Sequence, residues 1–379
     1  MNLRFQIFSY DAVTLIRGIS LLIILIIHLP IPAPVITSLT GYLLTAIGHV
    51  AIRSFFFLSG FVLAKGYLDG RYTLTKNGVL LFYWKRVRRI VPLYFLIVSY
   101  LFLQTSSSIT SRLADLFHLL TFTATPQVHL YSSSYLWFIS TLMQLYLLTP
   151  LGFFIIKIAK KQKKKIRLLF LLIPLLIGSV LKWQIQPHVS YEYMYSSVLS
   201  NIDIFLSGMF LAMVQSDVLR ILKVHDIRFR LLLTILLFTL FTAFYVVSSI
   251  YAYESSSQLI REQHLLILLP IGFILLMNII LPLFPKNFSL QTMNKNFLPI
   301  LYSGPFILVN LIGVYSYEMY LLHQPLLSQL QLSCSAVCTV PIFMKNLVFV
   351  TGILIIFSIF LDIGKKFLWR RRFIHSEHL

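Results

Sequence analysis

Charged side chains are scarce in this chain: Asp, Glu, Lys and Arg make up 12% of 379 residues, against 58% apolar. So little polar surface excludes a globule that faces water on all sides. Acids are the rarer sign, 12 against 32 Lys and Arg, and the formal net charge is +20. Cysteine is nearly missing as well. Two residues, Cys334 and Cys338, exclude a disulfide-stapled scaffold, although a bridge between them is possible in an oxidising compartment. With no histidine pair beside them they argue against a metal site. The sequence has no P-loop, no dinucleotide fingerprint and no zinc-protease motif. It also lacks a long polar segment: the longest, 104–134, runs about 30 residues, too few for a soluble domain. That segment holds LADLFHLLTF, a short apolar piece that either lies at a membrane interface or re-enters the bilayer.

What is present is a series of apolar stretches of about 20 residues, the length that crosses a hydrocarbon core, and the mean hydropathy is +0.83. The expected fold is an all-α polytopic helix bundle forming one integral membrane domain over 1–379. Ten spans are expected, near 10–29, 44–64, 79–103, 135–156, 168–186, 197–215, 231–250, 264–284, 299–322 and 346–368. The first is too long, and too poor in small residues at a cleavage site, for a removable signal peptide. If the N-terminus is cytoplasmic, inward segments hold 26 of the 32 basic residues. The outward loops then hold only Arg112, Lys182, Arg261 and Lys345. This asymmetry predicts both termini inside. The basic excess therefore reports topology rather than a nucleic-acid partner. The run KIAKKQKKKIR is a solvated loop that can also touch anionic lipid headgroups.

Polar residues at membrane depth stand out against this background. Arg17 and His28 lie eleven positions apart in TLIRGISLLIILIIHLP, about three helical turns, so both project from one face roughly 16 Å apart. Either they face a protein interior or watery cavity, or each snorkels to an interface. In GHVAIRSFFFLSGFVLAKG, His49 and Arg53 share a face, and Ser59 and Gly60 follow, small residues that let helices approach closely. Two guanidiniums with few acids nearby favour an anionic ligand group such as phosphate or carboxylate. Asp203 and Glu318 are the main candidate counter-ions, or equally structural partners. FYWKRVRRIVPLY places Lys85, Arg86, Arg88 and Arg89 ahead of Pro92, which is expected to start or kink the membrane helix. This cluster is either an insertion stop signal or a polyphosphate site.

In order along the chain these segments resemble the acyltransferase-3 family of integral membrane acyltransferases. The family's arginine, ten residues, then histidine in its first helix is matched by Arg17 and His28. Its FF-x-LSGF element is matched by FFFLSGF, and its arginine, two residues, arginine, then proline pattern by Arg86, Arg89 and Pro92. LWFISTLMQLYLLTP (136–150) resembles its LW-x-L-S helix, and SYEMYLLHQP (316–325) its YS-x-YL-x-H-x-P signature. Five short matches in family order span about 310 residues. Three departures stand beside them. Leu142 and Met143 occupy an acidic pair's place in many relatives that carry a fused extracytoplasmic esterase-like domain. Thr14 stands for an aspartate, with Asp11 one turn earlier as a possible substitute. No fused domain follows the tenth span, as expected of a stand-alone member.

The resemblance implies transfer of an acyl group from a cytoplasmic thioester, acetyl-CoA as the expected donor, to a sugar hydroxyl of an envelope polysaccharide or its lipid-linked precursor. No metal is implied. His28 is the expected base or acyl-accepting nucleophile. Arg17 would position the thioester or neutralise a carboxylate, and Arg86 and Arg89, with Lys85 and Arg88, would hold coenzyme A phosphates. Arg53, Ser59, Asp203, Glu318, Tyr320, His323 and Trp137 are candidate cavity residues, Trp137 alternatively an interfacial anchor. The chain is expected in the inner or plasma membrane as a multi-pass protein. A different class remains open on residues alone: a carrier or flippase of a lipid-linked sugar or anionic metabolite, with Arg17 and Arg53 binding substrate and His28 coupling protons. A glycan polymerase would show a large outward loop with several arginines.

Overall fold

The computed structural model describes residues 12–30, 38–128, 130, 133–222, 226–283, 304–330 and 340–376. Asp11, Cys334 and Cys338 lie outside them. The described residues are helical and contain no strand, as expected for backbone that must satisfy its own hydrogen bonds in lipid. Helix α1 spans Ala12–His28, α2 Leu39–Leu68, α3 Lys76–Gln104, α4 Ile109–Leu120 and α5 Trp137–Ala159. Then come α6 (Lys164–Leu169), α7 (Ile173–Ile185), α8 (Tyr191–Ser196), α9 (Val198–Leu222), α10 (Ile227–Glu254) and α11 (Gln258–Gln263). A π turn over His264–Leu268 leads into α12 (Leu269–Leu283), followed by α13 (Gly304–Val314), α14 (Ser316–Leu330) and α15 (Val340–Ser376).

Among the described residues eight stretches are long and apolar enough to cross a membrane, and the pair α13 and α14, bent by 89° at Tyr315, makes a ninth if it is one span. Helix α1, at 17 residues, is the short apolar helix at the start. Nine of the ten expected spans lie on these eight stretches and the bent pair, and the first lies on α1, which is shorter than the crossing-length helices.

The helices group into two compact units. One holds α1 with α13, α14 and α15, and the other holds α2 through α12. In the first unit, α1 and α13 close on one another through glycine. A Cβ on Gly18 would strike the Val309 carbonyl, and one on Gly313 would strike that of Thr14. In the second unit α2 and α9 form the central seam by the same device. A Cβ on Gly60 would meet the Phe205 carbonyl oxygen, and one on Gly208 that of Phe57. Small residues at both positions bring the backbones together, so the SGF element is a packing seam. Phe56, Phe57 and Leu58 beside it are fully buried.

The outer helices have the opposite pattern. On α10, Leu232, Ile235, Phe238 and Leu240 are exposed, a surface suited to hydrocarbon and not to water. Helix α4, within the longest polar segment, exposes Ile109, Leu113, Phe117 and Leu120 at helical spacing. Helix α3 corrects one expectation. Its N-cap is Thr75, whose side chain accepts from the Gly78 amide, and it continues past Pro92 to Gln104. Pro92 does not start the helix. Lys85 to Arg89 therefore lie in mid-helix, where Pro92 withholds a bond from the Arg88 carbonyl without ending the element.

Candidate active site

Three polar constellations emerge. In the first unit, the rings of His28 on α1 and His323 on α14 meet edge to face, with centroids 5.0 Å apart and planes at 76°. The bend ahead of α14 precedes the turn that carries Tyr320 and His323, whose ring centroids lie 5.3 Å apart. A carbonyl only accepts hydrogen bonds, so the contacts at each Nδ1 fix both tautomers. His28 Nδ1–H donates to the Ile24 carbonyl at 2.7 Å, and His323 Nδ1–H to that of Tyr320. In each neutral ring the lone pair then sits on Nε2. His323 is fully buried, whereas His28 is only partly so. Arg17, on the same face of α1, and Glu318, on the first turn of α14, are partly buried.

The second constellation lies on α3. Arg86 does not project freely beside Arg89. Its Nη2 donates to the Tyr72 hydroxyl at 2.9 Å, and its guanidinium lies 5.9–6.0 Å from the ring centroids of Tyr72, Phe82 and Tyr146. Lys85 Nζ is 5.8 Å from the Tyr72 ring, while Arg88 and Arg89 are exposed. Tyr72 also lines a cavity of about 490 Å³ with Tyr67, Thr73, Thr75, Lys157 and Lys160. Its cations and hydroxyls are the donor set that phosphate oxygens take. Of the basic run, Arg167 is pinned to Asp217 by two hydrogen bonds, of 2.6 and 3.1 Å.

The third centres on Arg53, 2% exposed in α2. Its Nη1 donates to His49 Nδ1 at 3.1 Å and to the His49 carbonyl at 3.2 Å. Since arginine has no acceptor, His49 Nδ1 must carry the lone pair, and its Nε2–H donates to the Tyr191 hydroxyl at 3.0 Å. The guanidinium sits 5.4 Å from the Tyr195 ring centroid. Two expectations change here. Lys182, counted with the outward loops, is buried in α7 and pairs with Asp203 at 2.7 Å. Gly178, one turn earlier on the same face, leaves room for that carboxylate. Asp203 therefore has Lys182 as its contact partner, with Arg53 within electrostatic reach. Trp137 is not an interfacial anchor either: it is buried against Tyr195, centroids 4.5 Å apart. Ser59 is partly exposed beside the Gly60 seam.

Sequence reasoning missed Tyr72, Lys157 and Lys160, and also Lys182, Tyr191 and Tyr195. Lys182 carried a signal as a lone cation inside an apolar run, and Lys157 and Lys160 as members of the basic run KIAKKQKKKIR, read there as a solvated loop. Among the described residues no group of His, Cys, Asp and Glu could hold a metal ion.

A helical membrane protein with paired imidazoles on one unit and a basic, hydroxyl-lined cavity on the other has the parts of an integral membrane transferase. Residues 10–363 match the family model Acyl_transf_3, described as an acyltransferase domain, and the chain belongs to that acyltransferase-3 family. No curated protein and no solved structure matches it.

Proposed function

We propose that this membrane acyltransferase moves an acyl group, acetyl in the first instance, from cytoplasmic acyl-CoA to a sugar hydroxyl of a cell-envelope polysaccharide or its lipid-linked precursor. The observation that carries the reading is His28, in a chain of this family, with its Nδ1–H committed to Ile24 and Nε2 left as the basic nitrogen. In the direct route Nε2 takes the hydroxyl proton as the sugar oxygen attacks the thioester carbonyl. The C–O bond forms, the C–S bond breaks, and the departing thiolate recovers the proton from the imidazolium. In the two-step route Nε2 attacks the thioester carbonyl and the C–S bond breaks, giving an acyl-imidazolium and a thiolate; the hydroxyl oxygen then takes the acyl group, the C–N bond breaks, and the hydroxyl proton goes to the thiolate. Arg17 positions the thioester on the same face of α1.

The donor end fits the cavity beside Tyr72. Coenzyme A is polyanionic; Lys157 and Lys160 line the cavity, Arg86 donates to the Tyr72 hydroxyl on its wall, and the exposed Arg89 follows Arg86 by three residues on α3. Positive-inside counting supports a cytoplasmic N-terminus, and the first helix then runs outward to His28. The protein then sits in the inner or plasma membrane.

The test is thioester consumption by protein in lipid vesicles. Acyl transfer releases one free thiol per ester formed and requires acceptor. A carrier moves its substrate and consumes no acyl-CoA, and that outcome would displace the enzyme reading.

A further inference from the structure

The Arg53 guanidinium is buried, and two of its three nitrogens, Nε and Nη2, have no hydrogen-bond partner among the described residues. These two are adjacent, and their N–H bonds run parallel along one edge of the plane, the fork that grips a pair of oxygens. Only Nη1, on the other side, is used, and its partners on His49 are neutral. Nearby charges do not balance. Lys182 and Asp203 neutralise one another at 2.7 Å, and Asp203 Oδ1 also accepts from the Ile204 amide. Among the described residues Arg53 and Lys182 share the one carboxylate of Asp203, while Glu262, which acts on Tyr191, is bonded to Gln186 and Gln258, so the cluster keeps one positive charge in excess. A buried cation that shares its carboxylate with a second cation is under-compensated, an arrangement suited to a charge that arrives.

The surroundings describe what arrives. Tyr191 and Tyr195 lie parallel within 5°, centroids 6.1 Å apart, and Trp137 packs on Tyr195. Both tyrosines are partly exposed whereas Arg53 is not, so the approach to the cation is bordered by aromatic faces. His49 holds the guanidinium from behind and ties it through its own Nε2–H to Tyr191.

We infer that the Arg53 fork binds a monoanionic pair of oxygens carried by the acceptor, in the first instance the carboxylate of an acidic sugar. The inference rests on the acceptor being a saccharide, as proposed above. A carboxylate and a phosphodiester share this chemistry, the second coming from a lipid-linked carrier, and the experiment separates them.

Full-length protein in lipid nanodiscs is titrated with glucuronate, glucose and dimethyl phosphate, with binding followed by saturation-transfer NMR. Glucuronate is expected to bind and glucose not. Arg53→Gln is expected to weaken glucuronate about ten- to a hundredfold, the equivalent of losing a charge-assisted hydrogen bond, and Arg53→Lys to fall between. Binding of dimethyl phosphate alone, lost in the same variant, would keep the oxyanion site and move its source to a phosphodiester. If neither anion depends on Arg53, the inference is wrong. Unfolding temperature gives a second reading. Without ligand, Arg53→Gln should unfold no lower than wild type, because it removes an under-compensated cation. A marked drop would assign Arg53 a structural partner and overturn the site. Thiol release from acetyl-CoA on the same samples keeps the two proposals apart. Turnover with neither anion binding through Arg53 sinks only this inference. Arg53-dependent binding without turnover keeps the anion site and sinks only the acyl-transfer reading.

Discussion

The imidazoles of His28 and His323 touch edge to face, 5.0 Å between centroids, each tethered through Nδ1 to a carbonyl of its own helix. The tethers give the rings unequal parts. His323 is wholly buried, and His28 is the ring with exposed surface that a substrate can reach. His28→Ala is therefore expected to lower the transfer rate by about 10²- to 10⁴-fold, the usual worth of a general base, in protein that still folds. His323→Phe keeps an aromatic ring in contact and should stay closer to wild type than His28→Ala. Single-turnover rates on the two variants decide the order, and equal losses would give His323 a part in proton transfer.

The α2–α9 seam makes a prediction about stability alone. Gly208→Ala drives a methyl into the Phe57 carbonyl, and Gly60→Ala into that of Phe205. Overpacking of this kind costs about 1–3 kcal/mol, and more when backbones must separate. Gly352→Ala, where an added methyl meets nothing, should be neutral or stabilising by about 0.5–1 kcal/mol, as for helical glycine in general. Unfolding temperatures in detergent compare the three, and no drop at Gly208 would refute the close seam.

Much of this was readable in the sequence, for identifiable reasons. The spans follow from apolar run length, and the SGF seam from small residues beside FFF, both local properties. The Lys182–Asp203 pair was not readable. Counting cations near helix ends treats each as solvated, and nothing in the sequence says that Gly178 opens a space for a carboxylate from α9. Arg86 shows the same limit. Spacing put it on a face with Arg89, but Tyr72 and Phe82 draw it inward. Tyr191 and Tyr195 sit in α8, the short helix that opens the crossing-length stretch Tyr191–Leu222, where aromatic residues in the sequence look like ordinary interface anchors.

Breaking the Lys182–Asp203 pair from one side should be costly. Lys182→Met takes from the buried Asp203 carboxylate its 2.7 Å partner and leaves Arg53 as its nearby cation, at a cost of up to about 3–5 kcal/mol. Removing both charges, with Lys182→Met and Asp203→Leu together, should recover most of that loss. A double-mutant cycle on unfolding measures the coupling, and additive effects would mean that the pair does not interact as its 2.7 Å separation requires.

If the cavity beside Tyr72 and the basic cluster on α3 hold the donor as proposed, the exposed and half-buried cations separate. Arg89→Ala should raise the KM for acyl-CoA, weaken its salt dependence and leave thermal stability unchanged, since Arg89 is exposed. Arg86→Ala should raise KM and also lower the unfolding temperature, because it empties the space between Tyr72, Phe82 and Tyr146. Steady-state kinetics paired with melting curves test both. Unchanged KM in the two variants and in Lys157→Ala would remove the cavity from the donor site.

The measurement closest to the centre of the account is incubation of purified protein in lipid with labelled acetyl-CoA and envelope glycan, for wild type, His28→Ala and Arg17→Ala. The account predicts label entering glycan as an alkali-labile ester with wild type and lost in both variants. Ester formation by folded His28→Ala at the wild-type rate would contradict it, because no other residue is assigned the proton or the acyl group.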